Sequence, residues 1–242
     1  KDIAHELLSR SSLTAADVMD AFHSQADLDG RVLAPLPSKD VAVEVGKDRL
    51  ACAAAFFHLA YVGQDALYLL DFARALAAAS HLAPTPAEQA FWAGAAQDAV
   101  ATELGLHGSF LPPAELFAAS RGPALTAYTD HLLAAVGRGS YPVLVAALLP
   151  CFSVYEDVGR RLLPRAHDGH PYAAWLRTYG DTAFAEVTAE AVRLVGGTAA
   201  AAPEAERARM WRAFATSTEH ERSFFATACD PGDSVLPPRT DP

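Results

Sequence analysis

Apolar and polar positions along the chain follow the spacing of α-helices rather than that of β-strands. Alanine is abundant, runs of β-branched residues are rare, and neither a GxGxxG motif, a P-loop nor an alternating strand–helix pattern occurs. Proline, glycine and capping residues divide the chain into about eight predicted helices with short loops between them. Because no linker is long enough to separate domains, we predict one all-α helical bundle over residues 1–229. The polar, proline-rich residues 230–242 are predicted to form a disordered tail.

The helix breakers also predict where each element begins and ends. Residues 24–40 are rich in Asp, Pro and Gly and are predicted to form a loop, as are residues 164–169. The predicted helices cover residues 13–23, 48–81, 84–106, a short segment after 113, 123–136, 141–163, 170–197 and 203–229.

One predicted helix carries a carboxylate in the middle of an aromatic stripe. Phe57, Tyr61, Asp65, Tyr68 and Phe72 follow one another at steps of four, four, three and four residues, which keeps them on one helix face. A buried carboxylate on such a face must be hydrogen-bonded or have a shifted pKa, as functional carboxylates often do. The alternative is an ordinary Asp65 at the core boundary, reaching solvent or capping a neighbouring helix.

A cysteine follows a proline inside a second apolar helix. Cys151 and Tyr155 are four residues apart and share a face, and Pro150 is predicted to bend or restart the helix just before the thiol. A thiol on the first turn of a restarted helix would have a lowered pKa, as a nucleophile requires. The alternative is that Cys151 is a small buried hydrophobic residue. Cys52 and Cys229 have no comparable setting and are interpreted as packing residues.

The last predicted helix places Glu221 beside Phe224 and an adjacent phenylalanine. This is a second carboxylate among aromatic residues, although Glu221 could equally belong to a solvated face. Tyr128 and Tyr179 are hydroxyl-bearing aromatic residues near predicted helix ends, where a buried tyrosine is usually structural.

Composition and charge narrow the classes of function. The chain has 242 residues, 51% of them hydrophobic, and a net charge of −10. So acidic a surface repels phosphate backbones and argues against a nucleic-acid-binding protein. Three scattered cysteines predict neither a disulfide framework nor a zinc site, so we expect a cytoplasmic protein. No membrane-spanning segment is predicted, because the longest apolar run, residues 141–155, is too short and contains two prolines.

A metal site is weakly indicated. Helical bundles bind paired metals through Glu-x-x-His motifs on facing helices. Glu103 and His107, four residues apart, are the nearest approach to such a pair, and one imperfect pair does not make a site. We therefore predict no metal.

Short segments over some 170 residues, in a fixed order, carry a resemblance to a known family. They are Phe57 with Tyr61, Gln64-Asp65, Tyr68-Leu69 and Phe72; Glu103 with His107; Tyr128-Thr129 with His131; Ala147-Leu148-Leu149-Pro150-Cys151 with Tyr155 and Gly159; His170-Pro171, Trp175 and Thr178-Tyr179-Gly180; and Ser217, Glu221 and Phe224. With these segments the chain resembles the TenA/thiaminase II family, which has the all-α haem-oxygenase-like fold. The stretch before Phe57 lacks the family's His-Pro-Phe segment.

The resemblance implies an activity and a set of site residues. The activity is hydrolysis at the C5 methylene of a 4-amino-2-methylpyrimidine, which is an aminomethylpyrimidine or thiamin, to give hydroxymethylpyrimidine for thiamin salvage. By position, Cys151 matches the nucleophile, Glu221 the C-terminal acid and Asp65 the acid of the QD segment. The residues that match the ring-lining set are Tyr68, Tyr128, Tyr155, Tyr179 and Phe224. The family needs no metal or organic cofactor, and its members usually form homodimers or homotetramers.

Two other functions stay open at this point. One is a different enzyme on the same fold, a cofactorless oxidase or a metal-dependent oxygenase, which an inward set of His and carboxylate ligands would indicate. The other is a non-catalytic pyrimidine-binding or regulatory protein, which would bind the ring without turning it over.

Overall fold

The described part of the chain is helical. The structure is a computed structural model, and it describes residues 63–103, 105, 120–165 and 173–227. In those residues it contains helices and no β-strand, as the pattern predicts. The helices are α1 Gly63–Leu82, α2 Pro86–Asp98, a π-helix Ala99–Glu103, α3 Pro123–Gly137, α4 Tyr141–Leu162, a 3-10 turn Leu163–Arg165, α5 Ala173–Gly180, α6 Thr182–Ala201 and α7 Glu204–Thr227. The helices predicted at 13–23, 48–62 and after 113, the loops predicted at 24–40 and 166–169, and the predicted tail lie outside the described residues.

The apolar helix α4 forms the centre of the bundle. It packs most extensively against α7 and also contacts α1, α3, α5 and α6. By length and composition α4 could cross a membrane, but 89% of its most apolar window is buried inside the protein. Burial on all sides explains why its sequence is apolar nearly all round, as expected for a core helix.

Local sequence explains several helix starts. Thr85 caps α2 because its hydroxyl oxygen accepts a hydrogen bond from the Glu88 backbone N–H at 3.2 Å, and Pro86 occupies the first turn. Asp181 caps α6 in the same way, by accepting from the Ala183 N–H at 3.4 Å. The start of α3 follows Gly122-Pro123, as predicted.

Two predictions about helix boundaries are wrong, and a third helix changes type within its predicted range. The helix predicted over 170–197 is two helices, because Asp181 ends one and caps the next. The second of them continues through Gly196 and Gly197 to Ala201, so this glycine pair does not end a helix. The helix predicted to reach residue 106 changes at Asp98 from an α-helix to a π-helical turn, Ala99–Glu103, and residue 105 is again α-helical.

Pro150 does not restart its helix. It lies inside the continuous helix α4, where it has no N–H to donate to residue 146. Packing on all sides of α4 holds the helix together across that gap. The predicted position of Cys151 on a first helical turn is therefore wrong, and the helix dipole gives no reason for a lowered thiol pKa.

Gly159 on α4 and Gly180 on α5 allow the backbones of the two helices to come into direct contact. A Cβ added to Gly159 would lie 2.4 Å from the Tyr179 carbonyl carbon and 2.6 Å from the Gly180 nitrogen. Any side chain at position 159 would therefore push α5, and Tyr179 with it, away from α4.

We expect Gly159→Ala to lower the free energy of unfolding by about 1–3 kcal/mol, because the added methyl meets backbone that cannot rotate away. Gly197→Ala is the matched control: its Cβ would meet nothing within 4 Å, so better helix propensity should raise stability by about 0.5–1 kcal/mol. Urea unfolding of both variants measures the difference. Equal stability of the two variants would contradict the close contact.

Candidate active site

Residues from α1, α4 and α5 form one wall of a deep cavity of about 430 Å³. Five of the eight predicted site residues lie on this wall: Asp65, Tyr68, Cys151, Tyr155 and Tyr179. Asp65 and Tyr68 come from the first turns of α1, and Cys151 and Tyr155 lie one turn apart on α4. The helical spacings predicted one shared face within each segment, and in the structure both of these faces line the same cavity.

Asp65 is a buried carboxylate with an aromatic hydroxyl as its partner. It is 1% exposed, and its Oδ1 accepts a hydrogen bond from the Tyr155 hydroxyl at 3.2 Å. This excludes the alternative of a solvent-facing residue at the core boundary. Tyr155 also packs against Tyr179, with a ring-centroid distance of 4.8 Å, and against Trp175 at 5.9 Å. The Tyr155 ring, whose hydroxyl contacts Asp65, is thus held in place by two rings of α5.

Glu221, Tyr128 and Phe224 form a second layer behind Tyr68. None of the three belongs to the cavity wall, but the Tyr68 ring packs against Tyr128 at 4.9 Å and against Phe224 at 5.9 Å. The Tyr128 hydroxyl donates a hydrogen bond to Glu221 Oε1 at 2.8 Å. The structure therefore links Glu221 to the cavity through Tyr128 and Tyr68 rather than placing it on the wall.

Burial sets the protonation of this second layer. The pKa of Glu221 is raised to about 8: desolvation by burial is the main cause, the hydrogen bond from Tyr128 lowers the pKa, and the nearby Asp65 charge raises it. Glu221 is 1% exposed, so the solvated-face alternative is wrong. A carboxyl with this pKa is largely protonated at neutral pH, which is the state that a general acid needs.

Tyr68 and Tyr128 remain neutral for the same reason. Burial raises the pKa of both hydroxyls well above the ordinary value of 10, and the nearby Cys151 and Glu221 add to the effect. Among the described residues, no group forms a hydrogen bond of acceptable geometry with the buried Tyr68 hydroxyl. A buried donor on a cavity wall without such a bond is suited to a ligand.

Gln64 fixes the start of the helix that carries Tyr128. Its side-chain Nε2 donates to the Ser120 carbonyl and its Oε1 accepts from the Gly122 N–H, both at 2.7 Å. Because Gln64 precedes Asp65 on α1, these two bonds tie the first turn of α1 to the N-cap of α3 and the segment just before it. In the sequence Gln64 appeared only as part of the QD segment, with nothing to indicate this positioning role.

The rest of the wall was not found from the sequence. Two of the remaining wall residues could have been predicted from local sequence, because Phe152 is adjacent to Cys151 and Phe72 belongs to the predicted aromatic stripe. The other wall residues are Leu69, Ala95, Asp98, Ala99, Thr178, Asp181, Ala183, Phe184 and Val187. Most of these come from the end of α2 with the π-helical turn after it, and from the end of α5 with the first turns of α6, which no spacing rule connects.

The described residues contain no group of three or more His, Cys, Asp or Glu side chains placed to hold a metal ion. The Glu103 side chain and His107 lie outside the part of the chain that the structure describes, as do Phe57, Tyr61, Cys52 and Cys229.

Comparison with known proteins decides the family. A sequence model of the TENA/THI-4/PQQC family matches residues 57–231. The chain is a member of the TENA/THI-4/PQQC family. The resemblance inferred from the Gln64-Asp65, Cys151 and Glu221 segments is thereby confirmed at the level of the family, whereas the roles of those residues stay predictions.

Relatives of this TenA-family chain include proteins of thiamin metabolism. It is 34% identical over 207 residues to the thiamine biosynthesis multifunctional protein ThiED of Corynebacterium glutamicum, covering 86% of this chain and 26% of that protein. It is 32% identical over 174 residues to an aminopyrimidine aminohydrolase of Bacillus subtilis, covering 69% of this chain and 73% of that protein. The chain thus spans about a quarter of the length of the ThiED relative and most of the length of the aminohydrolase.

Solved structures confirm the predicted TenA fold. The crystal structure of a TenA family transcription regulator from Silicibacter sp. TM1040 matches with a TM-score of 0.67 and 25% identity, covering 94% of this chain and 97% of that one. A TenA homologue from P. horikoshii matches with the same TM-score at 21% identity, covering 93% and 97% of the two chains. The all-α haem-oxygenase-like architecture predicted for this TenA-family chain is therefore confirmed.

Proposed function

We propose that this chain is an aminopyrimidine aminohydrolase of the thiaminase II type that releases hydroxymethylpyrimidine for thiamin salvage. The observation that carries the proposal is the juxtaposition of Cys151 and Asp65 on one aromatic cavity wall, with a largely protonated Glu221 linked to that wall. The aminohydrolase and thiamine biosynthesis relatives support the same substrate class.

Covalent catalysis accounts for the cysteine. The bond from the C5 methylene to its amine does not break unless electron density is pushed out of the pyrimidine ring. In the proposed reaction the Cys151 thiolate adds to a ring carbon and breaks aromaticity, and the electron pair then expels ammonia or the thiazole from the methylene. Water adds to the exposed methylene carbon, and elimination of the thiolate restores the ring. The sum is one water consumed and one amine released.

The acid groups divide the remaining work. Glu221 supplies the proton that makes a ring nitrogen electron-poor and takes it back at the end. Because Glu221 lies behind the cavity wall, we infer that the Tyr128 and Tyr68 hydroxyls turn when a ring is bound, so that they connect the ring to Glu221 and carry this proton. Asp65 accepts hydrogen bonds from the exocyclic amine and so orients the ring. Tyr155 and Tyr179 order the thiol, the leaving group and the attacking water, and Phe224 supports the ring-lining layer.

The site requires no metal or organic cofactor in this scheme. We expect a cytoplasmic homodimer or homotetramer, which light scattering coupled to size exclusion would measure. The net charge of −10 opposes direct contact with nucleic acid.

Turnover tests the proposal directly. We expect the protein to convert 4-amino-5-aminomethyl-2-methylpyrimidine to hydroxymethylpyrimidine, followed by chromatography, with thiamin assayed beside it to identify the preferred leaving group. A purified, folded protein that converts neither compound would overturn the proposal.

A further inference from the structure

The outer part of the cavity carries two exposed carboxylates. Asp98, at the end of α2, and Asp181, at the turn between α5 and α6, both line it, and both are exposed. Among the residues that the structure describes, Asp98, Asp181 and Asp65 are the carboxylates of the lining, and no Lys, Arg or His belongs to this described lining. Neither Asp98 nor Asp181 forms an ion pair with any residue that the structure describes. Their charge is therefore available to a ligand.

Other features of the same cavity indicate a ligand independently of the acids. The Tyr68 hydroxyl on the inner wall is buried and lacks a well-formed hydrogen bond among the described residues. On the outer wall the chain turns π-helical at Ala99, directly after Asp98. Such π-helical turns often occur at functional sites. The acids thus lie on the rim of a built cavity rather than on open surface.

The proposed substrate has a matching charge. The ring end of an aminomethylpyrimidine is neutral, whereas the group on its C5 methylene is an ammonium ion, and in thiamin it is a quaternary thiazolium ion. If the ring lies against Cys151 and Asp65 with its C5 methylene turned away from that wall, the methylene substituent lies in the outer part of the cavity. The acids of that part would then lie around the cationic end of the substrate.

We propose that Asp98 and Asp181 are specificity-determining residues that favour substrates with a positively charged leaving group. This inference rests on the proposed function, because it takes its substrate class from there. The carboxylates raise the affinity for the cationic substrate but not for the neutral product hydroxymethylpyrimidine. The product therefore leaves without the electrostatic attraction that holds the substrate. They have no part in bond breaking, which leaves kcat independent of them.

Charge-neutral variants separate this effect from changes in the fold. Asn at position 181 can still cap α6, because Asn and Asp are equally good N-caps, so Asp181→Asn removes the charge and keeps the helix start. Asp98→Asn removes the second charge, and Asp130→Asn is the matched control, since Asp130 is exposed on α3 and does not line the cavity.

Calorimetry with aminomethylpyrimidine and with hydroxymethylpyrimidine measures the discrimination, in a Cys151→Ala background that prevents the proposed turnover. We expect the double variant Asp98→Asn/Asp181→Asn to weaken binding of the cation roughly threefold to tenfold at low ionic strength. This loss should shrink at high ionic strength, because salt screens exposed charges. Binding of the neutral compound should change by less than about twofold, as should binding of either compound to Asp130→Asn.

Equal effects on the cation and the neutral compound, or no effect on either, would overturn the inference. The same variants with Cys151 retained should raise KM for aminomethylpyrimidine while kcat is preserved, and a fall in kcat alone would also overturn it. Failure of the proposed function gives a different result, namely no turnover by the unmodified protein. Absence of binding by both compounds would overturn the two proposals together.

Discussion

Cys151→Ala is expected to reduce turnover of aminomethylpyrimidine at least about 10³-fold, because no other group on the described wall can add to the ring. The thiol is buried on α4 and lines the cavity, so its loss removes the nucleophile while leaving the tyrosines and Asp65 in place. Binding of hydroxymethylpyrimidine should survive, since the proposed ring contacts do not depend on sulfur. Single-turnover kinetics and calorimetry measure the two quantities separately.

Ser153→Ala is the matched control for the cysteine. Ser153 is also buried on α4, but it does not line the cavity, and its hydroxyl donates to the Leu149 carbonyl of its own helix. Each substitution removes one side-chain atom from the same helix, the sulfur of Cys151 or the hydroxyl oxygen of Ser153. Comparable thermal stability, with turnover lost in Cys151→Ala and kept in Ser153→Ala, would support covalent catalysis, whereas full turnover by Cys151→Ala would show that it is wrong.

The inner site could be predicted because its members come from short-range spacings. Asp65 and Tyr68 are three residues apart and Cys151 and Tyr155 are four apart, so helical geometry alone places each pair on one face. That the two faces meet at one cavity came from the family resemblance. The hydrogen bond between Tyr128 and Glu221, 93 residues apart, was not predicted.

The outer wall could not be predicted, because it depends on how distant segments pack. Asp98 and Asp181 belong to the end of one helix and the cap of another, and no local pattern connects them. The errors at Pro150 and at Gly196-Gly197 have the same origin. Rules for breakers describe isolated helices, whereas burial in the bundle keeps α4 and α6 continuous through these residues.

Glu221→Gln is expected to reduce turnover about 10²- to 10⁴-fold, because a side-chain amide keeps the acceptor for the Tyr128 hydroxyl but cannot give up a proton. In the unmodified protein the acid works in its protonated form. Activity should therefore fall as pH rises through about 8, where Glu221 ionises. The residual activity of Glu221→Gln should lack that decline, and pH–rate profiles of kcat/KM for both proteins measure it.

The same substitution should stabilise the fold at neutral and alkaline pH. Below the ordinary glutamate pKa of 4.5, residue 221 is protonated in the folded and unfolded chains alike, so burial has no ionisation penalty. Between 4.5 and about 8 only the unfolded chain loses the proton, so stability of the unmodified protein declines as pH rises. Gln never ionises, and the stability advantage of Glu221→Gln should grow across this window and level off above it.

Glu219→Gln provides the control on the same helix. Glu219 is exposed and paired with Arg222, and the hydrogen bond from that arginine lowers its pKa, so stability from its ionised form is present at neutral pH and lost on acidification. Its replacement should leave turnover intact and bring no stability gain with rising pH. Urea unfolding at several pH values compares the three proteins. A Glu221→Gln variant that is inactive but gains no stability between pH 4.5 and 8 would mean that the buried carboxyl is already ionised at neutral pH, and the proposed acid role would fail.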